Sequence, residues 1–166
     1  MTLIASVTVG VGGAASIDFT SIPSTYTDLK VISSSRTNRA DTSDHTLIQF
    51  NGVTTSLSGK RMGGSGAVAF SFNPTTTGPA GTSAAANSLA NTFGNSEIYI
   101  PNYAGSANKS WSADGVPETN AVAAYSDMDA GLWANTAAIT SIKLLPEVGT
   151  LFLQNSTAYL YGISKS

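Results

Sequence analysis

The sequence predicts an all-β protein, a single-domain antiparallel β-sandwich of jelly-roll-like type with long loops. Apolar and polar residues alternate with period two wherever a period is visible. These stretches are short and are separated by Gly, Pro, Asn and Ser, which favour turns. Only 11% of the 166 residues are charged, so the charged residues that favour helices are scarce. About ten short strands with such separators are typical of a sandwich or a barrel.

Two stretches in the first third of the chain give the clearest strand signals. In the first, Leu29 and Val31 share one face. In the second, Ile48 and Phe50 share one face, and an Asn-Gly turn signal follows directly. We expect these two strands to be neighbours. The other predicted strands, in chain order, are 3–9, 15–20, 56–62, 67–72, 95–100, 137–145, 150–154 and 157–164.

Two long loops are predicted, at about 73–91 and 113–131, where turn residues dominate. The first carries TTTGPAGTS, and the second carries an Asp-Gly pair and a proline. Residues 83–93 have Ala and Leu at roughly helical spacing, but the Asn, Ser and Thr among them compete for the backbone. We expect one or two helical turns there at most. No linker or internal repeat is visible, so residues 1–166 are predicted to form one domain.

The charge balance argues against nucleic acid and membrane partners. The formal net charge is −2, so the sequence offers no basic surface for a phosphate backbone or an anionic bilayer. No stretch approaches the roughly 18 apolar residues of a membrane span. The chain has no Cys, which excludes disulfides and thiol chemistry. Residues 1–16 lack a positively charged start and alternate like a strand, so we interpret them as part of the mature fold.

Two glycine clusters are similar to cofactor motifs but lack the required context. Residues 10–15, GVGGAA, fit the dinucleotide-binding pattern, which requires a helix to begin at the glycines. Pro23 follows an alternating run instead, so we predict a hairpin turn. In residues 60–66, KRMGGSG, the Lys precedes the glycines, whereas in a P-loop it follows them. This cluster predicts a mobile turn, and no cofactor is expected.

Few residues could carry catalysis. His45 is the only histidine and follows Asp44, and no GxSxG motif is present. A hydrolase that uses His45 stays open, and the substitution His45→Ala would then abolish turnover. The acidic stretch 126–131 lacks the rest of a calcium loop and is interpreted as a solvated turn. We therefore expect no enzymatic activity, no catalytic residue and no metal site.

Aromatic side chains are the remaining candidates for ligand contacts. Tyr99, Tyr103, Trp111 and Trp133 are the candidate interface or ligand contacts, because such rings offer an apolar face and a polar tip. Packing in the core or at a subunit interface is the favoured alternative for each of them. Pro101 marks the end of the strand that contains Tyr99, since proline removes a ladder donor. Tyr103 and Trp111 are therefore expected in the loop beyond it.

Four ordered stretches, 19–52, 58–66, 91–115 and 137–164, cover most of the chain. They contain the segments IPSTYTDLKV, FNG, SGKRMGGSG, IYIPNY and LYGI. In this order they resemble small virion structural proteins of tailed bacteriophages, a family of capsid decoration (cement) proteins and of tail and head fibre proteins. The resemblance carries over no catalytic residue.

The resemblance implies a non-enzymatic structural protein of a virus particle. The leading expectation is a decoration protein on the capsid exterior that stabilises the lattice of the major capsid protein, after synthesis in the host cytoplasm. Because capsids have local threefold positions, and because low charge lets identical subunits approach, we expect a homotrimer. The alternative is a receptor- or glycan-binding module of a tail or head fibre, which would contact a host surface glycan.

Overall fold

The computed structural model describes residues 1–73, 77–120 and 124–164. These ranges contain twelve β-strands, numbered in chain order, and no helix, so none of their residues lies in a helix that could cross a membrane. The strands are β1 Thr2–Thr8, β2 Ile17–Phe19, β3 Asp28–Ser35, β4 Ser43–Phe50, β5 Leu57–Gly64, β6 Ala69–Phe72, β7 Pro79–Ala84, β8 Gly94–Ile100, β9 Lys109–Val116, β10 Ser126–Trp133, β11 Ile142–Pro146 and β12 Thr157–Ile163.

The strands form two antiparallel sheets. The larger sheet has eight strands in the order β1-β12-β3-β8-β9-β10-β5-β6, and the smaller sheet has four in the order β2-β11-β4-β7. Buried side chains from both sheets make one hydrophobic cluster between them. This architecture confirms the predicted all-β antiparallel sandwich.

Alternation along the strands directs one set of side chains into this core. In the larger sheet Leu29 of β3 lies opposite Ile100 of β8, and in the smaller sheet Ile48 of β4 lies opposite Leu144 of β11. All four side chains are buried. Burial of an aliphatic side chain of this size contributes about 1.5–3 kcal/mol, so cross-strand pairs of this kind hold the sandwich together.

Strand β10 has an inner face that is polar at one end and apolar at the other. Asp127 and Asp129 point inward in its first half, and Gly131 and Trp133 point inward in its second half. Gly131 lies against the indole of Trp111, because a Cβ at this position would be only 2.0 Å from Cε2 and Cζ2 of that ring. Any larger residue there would force the buried indole or the strand to move.

Strands β7 and β10, and the last residues of β9, lie where long loops were predicted. Strand β7 is buried along its whole length and consists of small residues, so no alternation marks it. Strand β10 inverts the usual pattern, because its carboxylates point inward while Met128 and Leu132 point outward. The predicted loops at about 73–91 and 113–131 are therefore wrong where these strands lie, and so is the solvated turn at 126–131.

Four other segments differ from the predictions. Strands β1 and β2 lie in different sheets, so the turn at 10–15 crosses between sheets and is not a hairpin. Strands β3 and β4 also lie in different sheets and are not neighbours. Residues 60–64 continue β5, where a mobile turn was predicted, and 150–154 contain only two isolated bridges, both at Phe152. Turn signals alone do not reveal which sheet the chain enters next.

The segment after β7, where one or two helical turns were allowed, forms turns that a buried arginine holds in place. The guanidinium of Arg36 donates hydrogen bonds to four backbone carbonyls, those of Ala86, Ser88, Leu89 and Thr92. A planar guanidinium with five donors suits this task. This segment is therefore fixed by a tertiary contact and not by local helix propensity.

Candidate functional site

Both tryptophans among the predicted contact residues lie in the core. Trp111 and Trp133 are 3% and 1% exposed, on the inner faces of β9 and β10. Their rings flank Phe50 at centroid distances of 5.2 and 5.6 Å, and the Trp111 indole donates a 2.8 Å hydrogen bond to the carbonyl of Pro79. This burial excludes both rings as surface contacts. The loop position predicted for Trp111 is also wrong.

Tyr103 is buried as well, whereas Tyr99 reaches the surface. Tyr103 lies in the turn after β8, as expected, but it is fully buried and its hydroxyl donates to the carbonyl of Pro23. Burial raises the pKa of that hydroxyl. Tyr99 is 38% exposed on the outer face of the larger sheet and donates a 2.8 Å hydrogen bond to Asp28. Pro101 directly follows β8, which confirms the predicted strand end.

A cleft of about 300 Å³ lies between the β5–β6 hairpin of the larger sheet and strand β4 of the smaller sheet. We name it the His45 cleft. It combines aromatic rings with polar and charged side chains. Its lining residues are Arg39, Asp41, Ser43, His45, Phe70, Phe72 and Tyr125. Concave sites with apolar walls and a few polar groups are the usual places for small ligands.

Three hydrogen-bonded side chains lie at the inner end of the His45 cleft. Nδ1 of His45 is 3.1 Å from the hydroxyl of Thr82 and 3.2 Å from Oδ2 of Asp127. The Thr82 hydroxyl donates to the same carboxylate oxygen. The β4–β7 ladder shifts register between His45 and Leu47, and such irregularities re-aim side chains. The group thereby joins two strands of the smaller sheet to β10 of the larger one.

The other carboxylate oxygen of Asp127 has no hydrogen-bond partner among the described residues. The side chain is fully buried, and its only ion-pair partner in those ranges is His45. Gly63 in β5 packs closely against it, since a Cβ there would lie only 2.6 Å from Oδ1 of Asp127 and from the carbonyl oxygen of Ser126, and 2.7 Å from Cζ of Phe70. The surroundings of this oxygen are therefore closely packed, and no larger residue fits at position 63 unless a neighbour moves.

Asp129, two residues further along β10, is fully satisfied. Its two oxygens accept hydrogen bonds of 2.7 and 3.1 Å from Nε and Nη2 of Arg61. The backbone N–H of Gly81 donates to it at 2.7 Å. Both charged side chains are buried, and Arg61 also lies 3.6 Å from Glu147. This bidentate pair is a structural link between β5 and β10.

Strand β6, at the edge of the larger sheet, supplies the aromatic wall of the cleft. Phe70 and Phe72 share one face of this strand, and their rings stack with centroids 5.3 Å apart and 10° between their planes. Tyr125 lies 6.3 Å from Phe70, and His45 meets Phe72 edge-on at 6.4 Å. Phe72 is 47% exposed. The wall therefore presents an aromatic surface to the solvent.

The polar side of the cleft is built around Arg39. Its Nη2 is 3.0 Å from a carboxylate oxygen of Asp41, and its Nη1 is 3.8 Å from Asp44. Asp44 is buried and accepts hydrogen bonds from the Thr37 hydroxyl and from two backbone N–H groups that follow β11. Asp44 therefore has a structural role, whereas Arg39 and Asp41 are partly exposed to solvent.

The pair of His45 and Asp127 has the arrangement of a general base and its orienting carboxylate. Nucleophilic catalysis also needs a hydroxyl or thiol hydrogen-bonded to the base. Over the described ranges, the only hydroxyl bonded to His45 is that of Thr82, on the Nδ1 side that already faces Asp127. No group of three His, Asp or Glu residues in these ranges could hold a metal ion. The absence of enzymatic activity stays a prediction.

A second exposed surface lies on the outer face of the larger sheet. Met62 and Met128 are cross-strand neighbours and are 59% and 64% exposed. They border a cleft of about 250 Å³ together with Lys60, Ser112 and Ala130. We name this the methionine patch. Methionine side chains adapt their shape easily, which suits contact with another protein.

Sequence reasoning noticed His45 as the only histidine, but it placed no other residue of the cleft beside it. Phe70 and Phe72 alternate within the predicted strand 67–72, and this alternation was the only available signal of an aromatic face. Nothing in the sequence shows that this strand lies at a sheet edge beside His45. Tyr125 and Asp127 fell in a predicted loop, so their position opposite His45 had no signal at all.

No protein-family model and no curated protein matches this sequence. Among solved structures, galectin LEC-6 of Caenorhabditis elegans is similar with a TM-score of 0.41 and 8% identity, over 94% of this chain and 95% of the galectin. A protein of unknown function from Shewanella oneidensis MR-1 is similar with a TM-score of 0.36 and 14% identity, over 97% of this chain and 70% of that one. Neither similarity carries a function to this chain.

Proposed function

We propose that this protein is a glycan-binding module and that the His45 cleft is its binding site. The observation that carries the proposal is the exposed ring of Phe72, stacked on Phe70 and adjoining the polar side chains of the cleft. A sugar ring has an apolar face of C–H groups that packs on an aromatic ring, and hydroxyl groups around its edge. The cleft offers partners for both.

The polar groups of the cleft match the hydroxyls of a sugar. Arg39 supplies N–H donors and Asp41 supplies carboxylate acceptors. The second ring nitrogen of His45 has no hydrogen-bond partner among the described residues. Because sugar hydroxyls both donate and accept hydrogen bonds, a mixed set of this kind favours a glycan over a purely apolar ligand.

The test is binding of an oligosaccharide panel to the wild-type protein and to two aromatic variants, measured by isothermal titration calorimetry. We expect a Kd on the order of 1 mM for at least one oligosaccharide, and a loss of tenfold or more, about 1.4 kcal/mol, in Phe72→Ala. The matched control is Tyr99→Ala, which removes an exposed ring from the outer face of the larger sheet. It should bind like the wild type.

Two results contradict the proposal. One is the absence of binding to any member of a panel of neutral, acidic and amino sugars. The other is binding that is unchanged in Phe72→Ala, which would place the glycan elsewhere on the protein. Circular dichroism and thermal unfolding of each variant show whether a loss of binding reflects a loss of fold.

A role as a virion structural protein is the second candidate, and the methionine patch favours it. For this second candidate we propose that the protein decorates the exterior of a tailed bacteriophage capsid, as the sequence resemblance described above implies. An exposed apolar patch on a protein with so few charged residues is suited to a protein interface. The methionine patch would then be covered by a neighbouring virion subunit, and the major capsid protein is the first candidate for that subunit.

Copy number on purified virions tests this second candidate. Hundreds of copies per particle indicate decoration, a few to tens indicate a fibre, and absence from virions contradicts both. The double substitution of Met62 and Met128 by Ser should lower occupancy, whereas Phe72→Ala should not. Analytical ultracentrifugation tests the homotrimer expected here, and a strictly monomeric species at all concentrations would contradict it.

A further inference from the structure

A second cavity, of about 560 Å³, lies where three connecting segments of the chain meet. These segments are the turn after β1, the residues before β8 and the residues before β12. We name it the Arg36 cavity after the charged residue that lines it. It shares no lining residue with the His45 cleft, and its volume is in the range of small-ligand sites.

The Arg36 cavity has a positive charge without a counter-ion. Of the three arginines, Arg39 and Arg61 pair with carboxylates, whereas Arg36 has no Asp or Glu within ion-pair distance among the described residues. Its four carbonyl partners are neutral, so they satisfy donors but leave the charge in place. None of the described lining residues is acidic. The cavity is therefore suited to an anionic group, although the protein has a net charge of −2.

One donor of the Arg36 guanidinium is still free for a ligand. The four N–H groups of Nη1 and Nη2 donate to the backbone carbonyls, which leaves the N–H of Nε. Nε has no hydrogen-bond partner among the described residues. Three buried side-chain atoms in those ranges lack a partner, and Nε of Arg36 is not one of them, so this nitrogen is in contact with solvent. A ligand in the cavity can therefore reach it.

The remaining walls of the cavity suit a ligand with hydroxyl groups. Asn91, Gln154 and Asn155 line it with exposed side chains, and each amide both donates and accepts hydrogen bonds. Phe93 is half-buried and adds an apolar surface. A carboxylate has one negative charge, which matches the single cation, and a charge-assisted hydrogen bond to an arginine is stronger than one between neutral groups. These walls favour a carboxylate on a hydroxylated body.

We propose that the Arg36 cavity is a second binding site and that it takes sugar acids, small hydroxylated carboxylates such as a uronic acid. The carboxylate accepts a hydrogen bond from Nε of Arg36, and the hydroxyls pair with the amides of Asn91, Gln154 and Asn155. This site goes beyond the proposed function, because it uses a different cavity and a charged ligand. A neutral sugar lacks the carboxylate, and a simple carboxylate lacks the hydroxyls, so both bind more weakly.

Proton–nitrogen correlation NMR of the arginine Nε–H groups tests the proposal and locates the ligand. Sodium glucuronate should shift the Nε–H signal of Arg36 with a Kd on the order of 1 mM. Glucose, which has a hydroxymethyl group in place of the carboxylate, and sodium acetate should each bind at least tenfold more weakly. The Nε–H of Arg61 donates to Asp129 and serves as the internal reference, so its signal should not move.

A charge added to the wall of the cavity gives a second test without disturbing Arg36. Gln154 is exposed, so Gln154→Glu should fold like the wild type and weaken glucuronate binding tenfold or more by repulsion. The matched control is Gln49→Glu, which adds the same charge on β4 and does not line the cavity. It should bind glucuronate like the wild type.

Four results overturn the inference. The first is an Arg36 signal that does not shift with glucuronate. The second is a shift at Arg39 without one at Arg36, which would place the ligand in the His45 cleft. The third is an affinity for glucose or acetate equal to that for glucuronate. The fourth is equal binding by Gln154→Glu and Gln49→Glu, whether both bind like the wild type or both are weakened.

Discussion

Asp127 and Asp129 lie two residues apart on the same inner face of β10, and both side chains are fully buried. Asp129 accepts two hydrogen bonds from Arg61 and one from the backbone, so both of its oxygens are paired. Asp127 is paired through one oxygen only. Residue type, burial and strand position are the same, and only the partners differ. The partners therefore decide which carboxylate is fully paired and which keeps an oxygen without a hydrogen-bond partner among the described residues.

The largest expected effect is the loss of the Asp129 charge. The variant Asp129→Asn leaves Arg61 buried without its bidentate partner, and breaking a buried ion pair in this way costs about 3–5 kcal/mol. The partial contact of Arg61 with Glu147 at 3.6 Å places the expected loss near the lower end of that range. Urea unfolding followed by circular dichroism measures it. A loss below about 1 kcal/mol would show that the pair is not a structural link.

The apolar half of β10 gives the second prediction. Gly131→Ala places a methyl group 2.0 Å from two ring atoms of the buried Trp111, so the indole or the strand must move. Overpacking of this kind costs roughly 1–3 kcal/mol. The matched control is Ala130→Ser, at the adjacent exposed position of the same strand, which should change the unfolding free energy by less than about 0.5 kcal/mol. Equal stability of the two variants would contradict the tight contact with Trp111.

Asp127→Asn sharpens the comparison, because a smaller effect on stability is expected than at Asp129. The asparagine keeps an oxygen that can accept the hydrogen bond from Thr82, and it removes a buried charge that has no Lys or Arg partner among the described residues. The hydrogen bond from Thr82 becomes weaker because its acceptor is no longer charged, and removal of the buried charge offsets this loss. The unfolding free energy should therefore change by less than about 1 kcal/mol. The same urea titration used for Asp129→Asn measures it. A loss as large as that of Asp129→Asn would mean that Asp127 is equally structural.

The contrast within β10 also explains what the sequence could and could not predict. Strands β3, β4, β8 and β12 were predicted because apolar residues alternate on their buried faces, as Leu29 and Val31 do. Strand β10 was missed because its buried positions are carboxylates and its exposed ones include methionine and leucine. The inward-pointing carboxylate of Asp129 is stabilised by Arg61 from another strand, and the local sequence pattern does not reveal such a partner.

Only one residue of the candidate site, His45, could be predicted from the sequence. His45 was noticed because it is the only histidine, yet its partner Asp127 lies far along the chain, and the two meet only because β4 and β10 belong to opposing sheets. The aromatic candidates failed for a related reason. The sequence around a tryptophan does not show whether its ring lies in a core strand or in a binding loop. Trp111 and Trp133 proved to be core residues.

A carboxylate on the outer face gives the smallest expected effect and the clearest dependence on pH. Asp114 lies between Met128 and Glu97 in the register of the larger sheet. Partial burial and the charge of Glu97 raise the pKa of Asp114 above its ordinary value of 3.8, and Lys30 opposes them. The folded state therefore binds this proton more tightly than the unfolded state does. The stability that this contributes is complete below the unfolded-state pKa and is lost as pH rises through the raised folded-state pKa.

Asp114→Asn should remove this pH dependence, so the variant should gain stability relative to the wild type between about pH 3 and pH 7. Thermal unfolding at a series of pH values measures the difference in Tm between the two proteins. Glu97→Gln removes the second cause of the raised pKa and should give a weaker pH dependence than the wild type, with Asp114 still present. Because Asp127 and Asp129 are unchanged in both variants, a Tm difference that stays constant across this range would mean that the surface carboxylate does not oppose folding.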